Sequence, residues 1–135
     1  MVVIDFGTAT TFNIINENRE FIGGVIAPGI RGSMDSLVNS TAKLPRVEIE
    51  IPKSVIGKNT TTNMQAGIVF GFAGLVDYIV RKIKIEMNCP DMQVVATGGF
   101  SEIIASEISC IDHVDKLLTL QGLKYLYDLN TEGKR

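Results

Sequence analysis

Apolar residues recur at every second position in some stretches of this chain and at every third or fourth in others. These two periods divide it into elements. Val2, Val3 and Ile4 form a short β-branched run suited to a buried strand. Gly7 supplies a turn, and residues 10–15, again β-branched and aromatic, read as a second strand. Residues 16–18 are a polar turn and a third strand starts at residues 20–22, so the opening is a β-meander. Gly23-Gly24 and Pro28-Gly29 then punctuate the chain, leaving V-I-A between them too short for more than a strand end. Ile30, Met34, Leu37 and Val38 have helical spacing, which residues 42–45 break. Val47, Ile49 and Ile51 alternate with Glu48 and Glu50, the pattern of a strand with one wet face.

Thr62 followed by Gln65 has the form of a capping box. It opens a long helix to about Met87 with the apolar stripe Met64, Ile68, Phe72, Leu75, Val76, Ile79 and Ile83. Gly67, Gly71 and Gly74 lie inside this helix, each costing about 1 kcal/mol against Ala. Packing against a neighbouring backbone is the plain reading of such glycines. Residues 88–91, with Pro90, form a turn. Val94, Val95 and Ala96 make a buried strand running into Thr97-Gly98-Gly99, followed by a short helix over residues 102–107. Leu120, Leu123, Leu126 and Tyr127 define a last helix ending near Asn130, before a charged, fraying tail. The predicted order is β-β-β-α-β-α-β-α-α, an α/β or α+β arrangement in which helices cover one mixed sheet that opens with an antiparallel meander. No internal repeat or interdomain linker interrupts it.

Composition narrows the chemistry. The 135 residues suit one domain or half of a two-domain protein, with 45% hydrophobic and 21% charged residues. That balance excludes disorder and collagen-like repeats. Net charge is −2 and no Lys/Arg block occurs, so no nucleic-acid partner is expected. No apolar run approaches a membrane span, and no signal peptide is expected. Cys89 and Cys110 fit a reducing, cytoplasmic setting. His113 is the only histidine, so no zinc site of the usual spacing can be built. A Ser-His-Asp triad would have to use it, and D-H-V-D reads as a turn between charged residues.

Three element boundaries join glycine with short polar side chains, where open backbone N–H groups admit phosphates, sugars or cations. The sharpest is Asp5-Phe6-Gly7-Thr8. A carboxylate at a strand end, followed by glycine and the hydroxyls of Thr8, Thr10 and Thr11, can hold a cation beside a phosphate. An Asx-type hairpin turn explains the same residues equally well. The second boundary is residues 57–63, where Thr60, Thr61 and Thr62 sit at a helix N-terminus and Asn59 and Thr60 are left over from capping. The third, Thr97-Gly98-Gly99, is weak alone, because a tight turn needs glycine for conformational reasons. There is no G-x-x-x-x-G-K-S/T, and no G-x-G-x-x-G after a strand.

The segments D-F-G-T-A-T-T-F, G-G-V-I-A-P-G-I, T-A-K-L-P, I-G-K-N-T-T-T-N-M-Q-A-G, V-V-A-T-G-G-F and L-T-L-Q-G-L-K-Y-L-Y-D-L-N occur in that order over nearly the whole chain. Together they closely resemble the type III pantothenate kinases, also called Bvg accessory factors. The resemblance implies an actin-like, ribonuclease-H-like ATPase fold of two similar domains. It implies ATP-dependent phosphorylation of pantothenate to 4'-phosphopantothenate, the first step of coenzyme A biosynthesis. It also implies Mg²⁺, a monovalent cation (K⁺ or NH₄⁺) and a homodimer. Carried onto this sequence, the resemblance places the monovalent cation at Asp5, ATP at Gly7 and Thr8, and pantothenate at Thr60. Gly98 and Gly99 fall near the nucleotide.

The chain also departs from the family. Members are about twice as long, and their N-terminal half carries a D-x-G-N-T phosphate loop and a G-x-D-R motif whose Asp is the general base. Neither motif occurs here. The expectation is therefore that residues 1–135 are a single domain, the C-terminal half of a two-domain kinase, and inactive alone. No carboxylate here is assigned the base, Asp35 and Asp77 included. Asn13 stands where members often carry Asp. A non-catalytic regulatory module of the same fold, or another small-molecule kinase of the actin-like class, are the alternatives.

Overall fold

The structure, a computed structural model, describes residues 1–41 and 43–132. Ala42 of the expected helix break and residues 133–135 of the expected tail lie outside the described residues. The elements are β1 (Val2–Phe6), β2 (Ala9–Ile15), β3 (Phe21–Pro28), α1 (Ile30–Asn39), α2 (Thr60–Glu86), β4 (Val94–Gly98), α3 (Ser101–Ala105), β5 (His113–Val114) and α4 (Leu118–Glu132). One five-stranded mixed sheet has the order β3-β2-β1-β4-β5. The three meander strands are antiparallel, whereas β4 runs parallel to β1, and β5 parallel to β4.

One sheet face is the core. Val2, Ile4 and Phe6 of β1, Phe12 and Ile14 of β2, and Val94 and Ala96 of β4 are all buried there. Against them pack Ile30 and Met34 of α1, the α2 stripe and Ile104 of α3. Burying each large side chain contributes about 1.5–3 kcal/mol. The other face carries Val3, Asp5, Thr11 and Asn13, all half-buried.

Four sequence expectations need correction. First, β3 does not stop at the glycine pair but runs through it to Pro28. Gly23, at φ +140°, lies beside a register shift between Ile14 and Ile15, where a glycine accommodates the irregular pairing without ending the strand. Second, residues 46–52 are not a strand. Ile49 is buried and Glu48 and Glu50 are exposed, so the alternation reports extended chain correctly. The segment docks on α2 instead of the sheet, and Gln65 Nε2 donates to the Glu48 carbonyl at 2.9 Å. Third, D-H-V-D is not a turn. His113 and Val114 form β5, beside which Asp112 accepts from the Val94 amide at 2.7 Å. Fourth, Gly67, Gly71 and Gly74 meet nothing within 4 Å of a would-be Cβ. Among the described residues no backbone packs on that face of α2.

The helices otherwise follow the apolar spacing. Met64, Ile68, Phe72, Val76 and Ile83 are buried and Leu75 and Ile79 partly so. Asn88, in the left-handed region at φ 49°, follows the end of α2. Helix α4 lacks a buried face. Leu120, Leu123, Tyr125, Leu126, Tyr127 and Leu129 are each more than half exposed.

Candidate functional site

The carboxyl ends of β1 and β4 lie side by side, and three connections leave from this edge. They are the β1–β2 turn, the Gly29 entry into α1 and the Gly98–Phe100 entry into α3. Open α/β sheets bind ligands at such edges. Register pairs Asp5 with Thr11 on one side and with Thr97 on the other, so carboxylate and two hydroxyls form a row across three strands on one face.

Two glycines let the connections close on this row. A Cβ on Gly98 would lie 2.6 Å from the Phe6 carbonyl oxygen and 2.8 Å from Asp5 Oδ1, and its φ is +94°. A side chain there would displace the carboxylate. A Cβ on Gly29 would run into the Thr8 carbonyl. Ser101 is fully buried and its Oγ donates to the Gly98 carbonyl at 2.7 Å, fixing the turn. Gly7, Thr8 and Gly99 are exposed.

Among the described residues no hydrogen bond or ion pair engages the Asp5 carboxylate. The Asx-type turn is therefore not formed; the Gly7 amide donates to the Ala9 carbonyl instead, at 3.1 Å. The three flanking threonines differ. Thr8 is exposed with an uncommitted hydroxyl. Thr10 points into the core and donates to the Pro28 carbonyl at 3.0 Å, so its hydroxyl is unavailable to a ligand. Thr11 stays on the Asp5 face and accepts from Asn13 Nδ2 at 3.4 Å. Thr97 opens the third boundary, but the motif alone does not bring it to Asp5. It is 3% exposed, adjoins Asp5 and has no side-chain hydrogen bond among the described residues. Its position opposite Asp5 is a matter of strand register, which short-range patterns do not carry.

The donor set suits a hard cation: one carboxylate with hydroxyl and carbonyl oxygens nearby and no thiolate or imidazole. Among the described residues no group of three or more His, Cys, Asp or Glu comes together. The exposed Thr8 hydroxyl can face phosphate oxygens, whereas the Gly7 amide is already committed to the Ala9 carbonyl.

Thr60 belongs to a different place. The N-terminus of α2 is capped by Asn59, whose Oδ1 accepts from the Thr62 amide at 2.9 Å, while Thr62 Oγ1 accepts from the Asn59 amide at 3.2 Å. The capping pair is thus Asn59 with Thr62, not Thr62 with Gln65, and Asn59 is not left over. Thr60 and Thr61 are exposed. Thr60 lines a cavity of about 510 Å³ with Leu37, Leu44, Asn63 and Gly67; none of Asp5, Thr8 or Gly98 lines it.

The remaining reactive groups lie elsewhere. Cys110 borders a cavity of about 530 Å³ with Asp77, Arg81 and Lys84. Burial, with the negative Asp77 second, pushes its thiol above the ordinary value. A thiol so placed is protonated and a poor nucleophile at neutral pH. His113 is exposed at the sheet edge.

Residues 1–82 match the family model for type III pantothenate kinase. Over 132 residues the chain is 52% identical to the type III pantothenate kinase of Finegoldia magna, covering 96% of this chain and 50% of that protein. Over 134 residues it is 52% identical to the type III pantothenate kinase of Geobacillus thermodenitrificans, covering 99% and 52%. The chain therefore spans about half the length of these curated relatives. The crystal structure of a Campylobacter jejuni protein described as a Baf family transcriptional activator superposes with a TM-score of 0.65 at 24% identity. It covers 97% of this chain and 58% of that one, a likeness of fold. No helix among the described residues is long and apolar enough to cross a membrane.

Proposed function

The chain belongs to the type III pantothenate kinase family, and from that membership we propose that it supplies one half of the cleft in which ATP phosphorylates pantothenate. In this reading residues 1–135 are one domain of a two-domain, actin-like (ribonuclease-H-like) kinase. The enzyme makes 4'-phosphopantothenate for coenzyme A, works in the cytoplasm and is a homodimer. The single observation that carries the reading is the uncommitted Asp5 carboxylate, aligned between Thr11 and Thr97 beside an exposed Thr8. The extent of the relatives and the bare apolar face of α4 support a second half packed against this one.

Phosphoryl transfer needs positioning and charge neutralisation more than a protein nucleophile. Asp5, with the neighbouring hydroxyls, would hold K⁺ or NH₄⁺, which supplies positive charge beside the phosphates. Mg²⁺ would be carried by the phosphates of ATP. The Thr8 hydroxyl orients phosphate oxygens at the turn that Gly7 opens, and the nucleotide approaches the backbone at Gly99, with Gly98 closing the turn on Asp5. Thr60 donates to pantothenate from the α2 terminus. The base that takes the substrate's hydroxyl proton comes from the other half.

The test is to combine this chain with the N-terminal half of a family relative and assay ATP-dependent phosphorylation of pantothenate. The expected result is turnover by the pair and none by the chain alone. Asp5→Asn is expected to abolish activation by K⁺. Unchanged K⁺ dependence would place the cation elsewhere. Nucleotide binding without turnover would make this a non-catalytic binding module, and turnover of other hydroxyl substrates only would make it a different small-molecule kinase.

A further inference from the structure

We propose that Arg31 and Phe100 form the platform on which the base of the bound nucleotide stacks. The inference rests on reading the Asp5–Thr8 corner as a phosphate site and extends it to the part of the ligand that this corner does not address. Arg31 Cζ lies 5.5 Å from the centroid of the Phe100 ring. Arg31 is in the first turn of α1, and Phe100 is the N-cap of α3. Both are anchored at the corner. Gly29, two residues before Arg31, abuts the Thr8 carbonyl, and Gly98, two residues before Phe100, abuts the Asp5 carboxylate. The pair thus links the two helix entries that flank the proposed phosphate position.

The chemistry of the pair favours a planar ligand. Phe100 is half-buried against the core, which fixes its ring, while Arg31 is exposed. No carboxylate among the described residues forms an ion pair with Arg31. An arginine in the first turn opposes the helix dipole and does nothing for α1. A guanidinium is flat and weakly hydrated, so it stacks on aromatic planes where an ammonium does not. A cation–π pair with its outer surface in solvent offers a flat surface to a purine, and base stacking on such groups is substantial without being base-specific.

The experiment titrates the 135-residue chain with ATP and, separately, with inorganic triphosphate, following affinity by calorimetry and the purine H2 and H8 resonances by NMR. Three variants are compared: Arg31→Lys, which keeps the charge and loses the plane; Phe100→Leu, which loses the ring; and Phe100→Tyr, which keeps it. Arg31→Lys and Phe100→Leu are expected to weaken ATP about tenfold and leave triphosphate unchanged. Phe100→Tyr is expected to behave as wild type. The purine protons are expected to shift upfield only where the ring remains. Arg31→Lys, at an exposed site, keeps the test valid should Phe100→Leu fail to fold. Equal weakening of ATP and triphosphate, or weakening of neither, overturns the platform while the phosphate reading stands. A wild-type chain that binds neither ligand removes the phosphate reading and the platform with it.

Discussion

Gly98 shows how little freedom the corner has. Its positive φ excludes most side chains, and its closeness to the Phe6 carbonyl and the Asp5 carboxylate excludes the rest. Gly98→Ala is expected to destabilise the chain by about 1–3 kcal/mol, read as a lower urea midpoint. Cys110 illustrates a different single-residue effect. Its raised thiol pKa means the folded chain holds that proton more tightly than the unfolded one does. The associated stability is complete below the ordinary thiol pKa and is lost as pH rises through the raised value. Alkylation at pH 8 is expected to modify Cys89 well before Cys110, with the gap narrowing as pH rises; mass spectrometry of timed iodoacetamide reactions measures it. Glycine and aspartate at the corner were legible in the sequence. The inward turn of Thr10 was not, because alternation fixes a residue's face only after the strand's phase is known, and Thr8 lies in the turn between β1 and β2, where no alternation applies.

At the scale of elements, α2 depends on its first turn. Asn59 and Thr62 satisfy each other's amides there, and no acidic residue assists. Asn59→Ala is expected to cost about 1 kcal/mol, seen as a lower melting temperature. The apolar stripe of α2 was readable because nine buried apolar residues recur along one side of its 27 residues. The cap is ambiguous in the sequence because Thr62–Gln65 and Asn59–Thr62 share the same three-residue spacing. Only the docking of residues 46–52 shows Gln65 occupied by the Glu48 carbonyl. Strand β5 escaped notice for a simpler reason: two residues have no periodicity.

The whole molecule is unevenly finished. Its core closes on one side of the sheet, while α4 offers large apolar side chains to solvent along 15 residues. An isolated helix of that length is marginal in water. Amide exchange in α4 is expected to be fast in this chain alone and to slow by about tenfold or more, the factor given by 1.4 kcal/mol, once the N-terminal half of a relative is added. Hydrogen-exchange mass spectrometry resolves that segment. Unaltered exchange in an assembled pair would mean that another surface joins the halves.

Local order along the chain was enough to determine the meander, the long helix, the glycine-marked turns and the family motifs. These depend on backbone preference and on side-chain period over a few residues. Tertiary structure alone decided which strand lies beside β1, and so that Thr97 stands next to Asp5 and Arg31 over Phe100. Those pairs are separated by 92 and 69 positions in the sequence. Contact at such range is set by sheet register and by the closing of connections over a shared core, which no short window of residues contains.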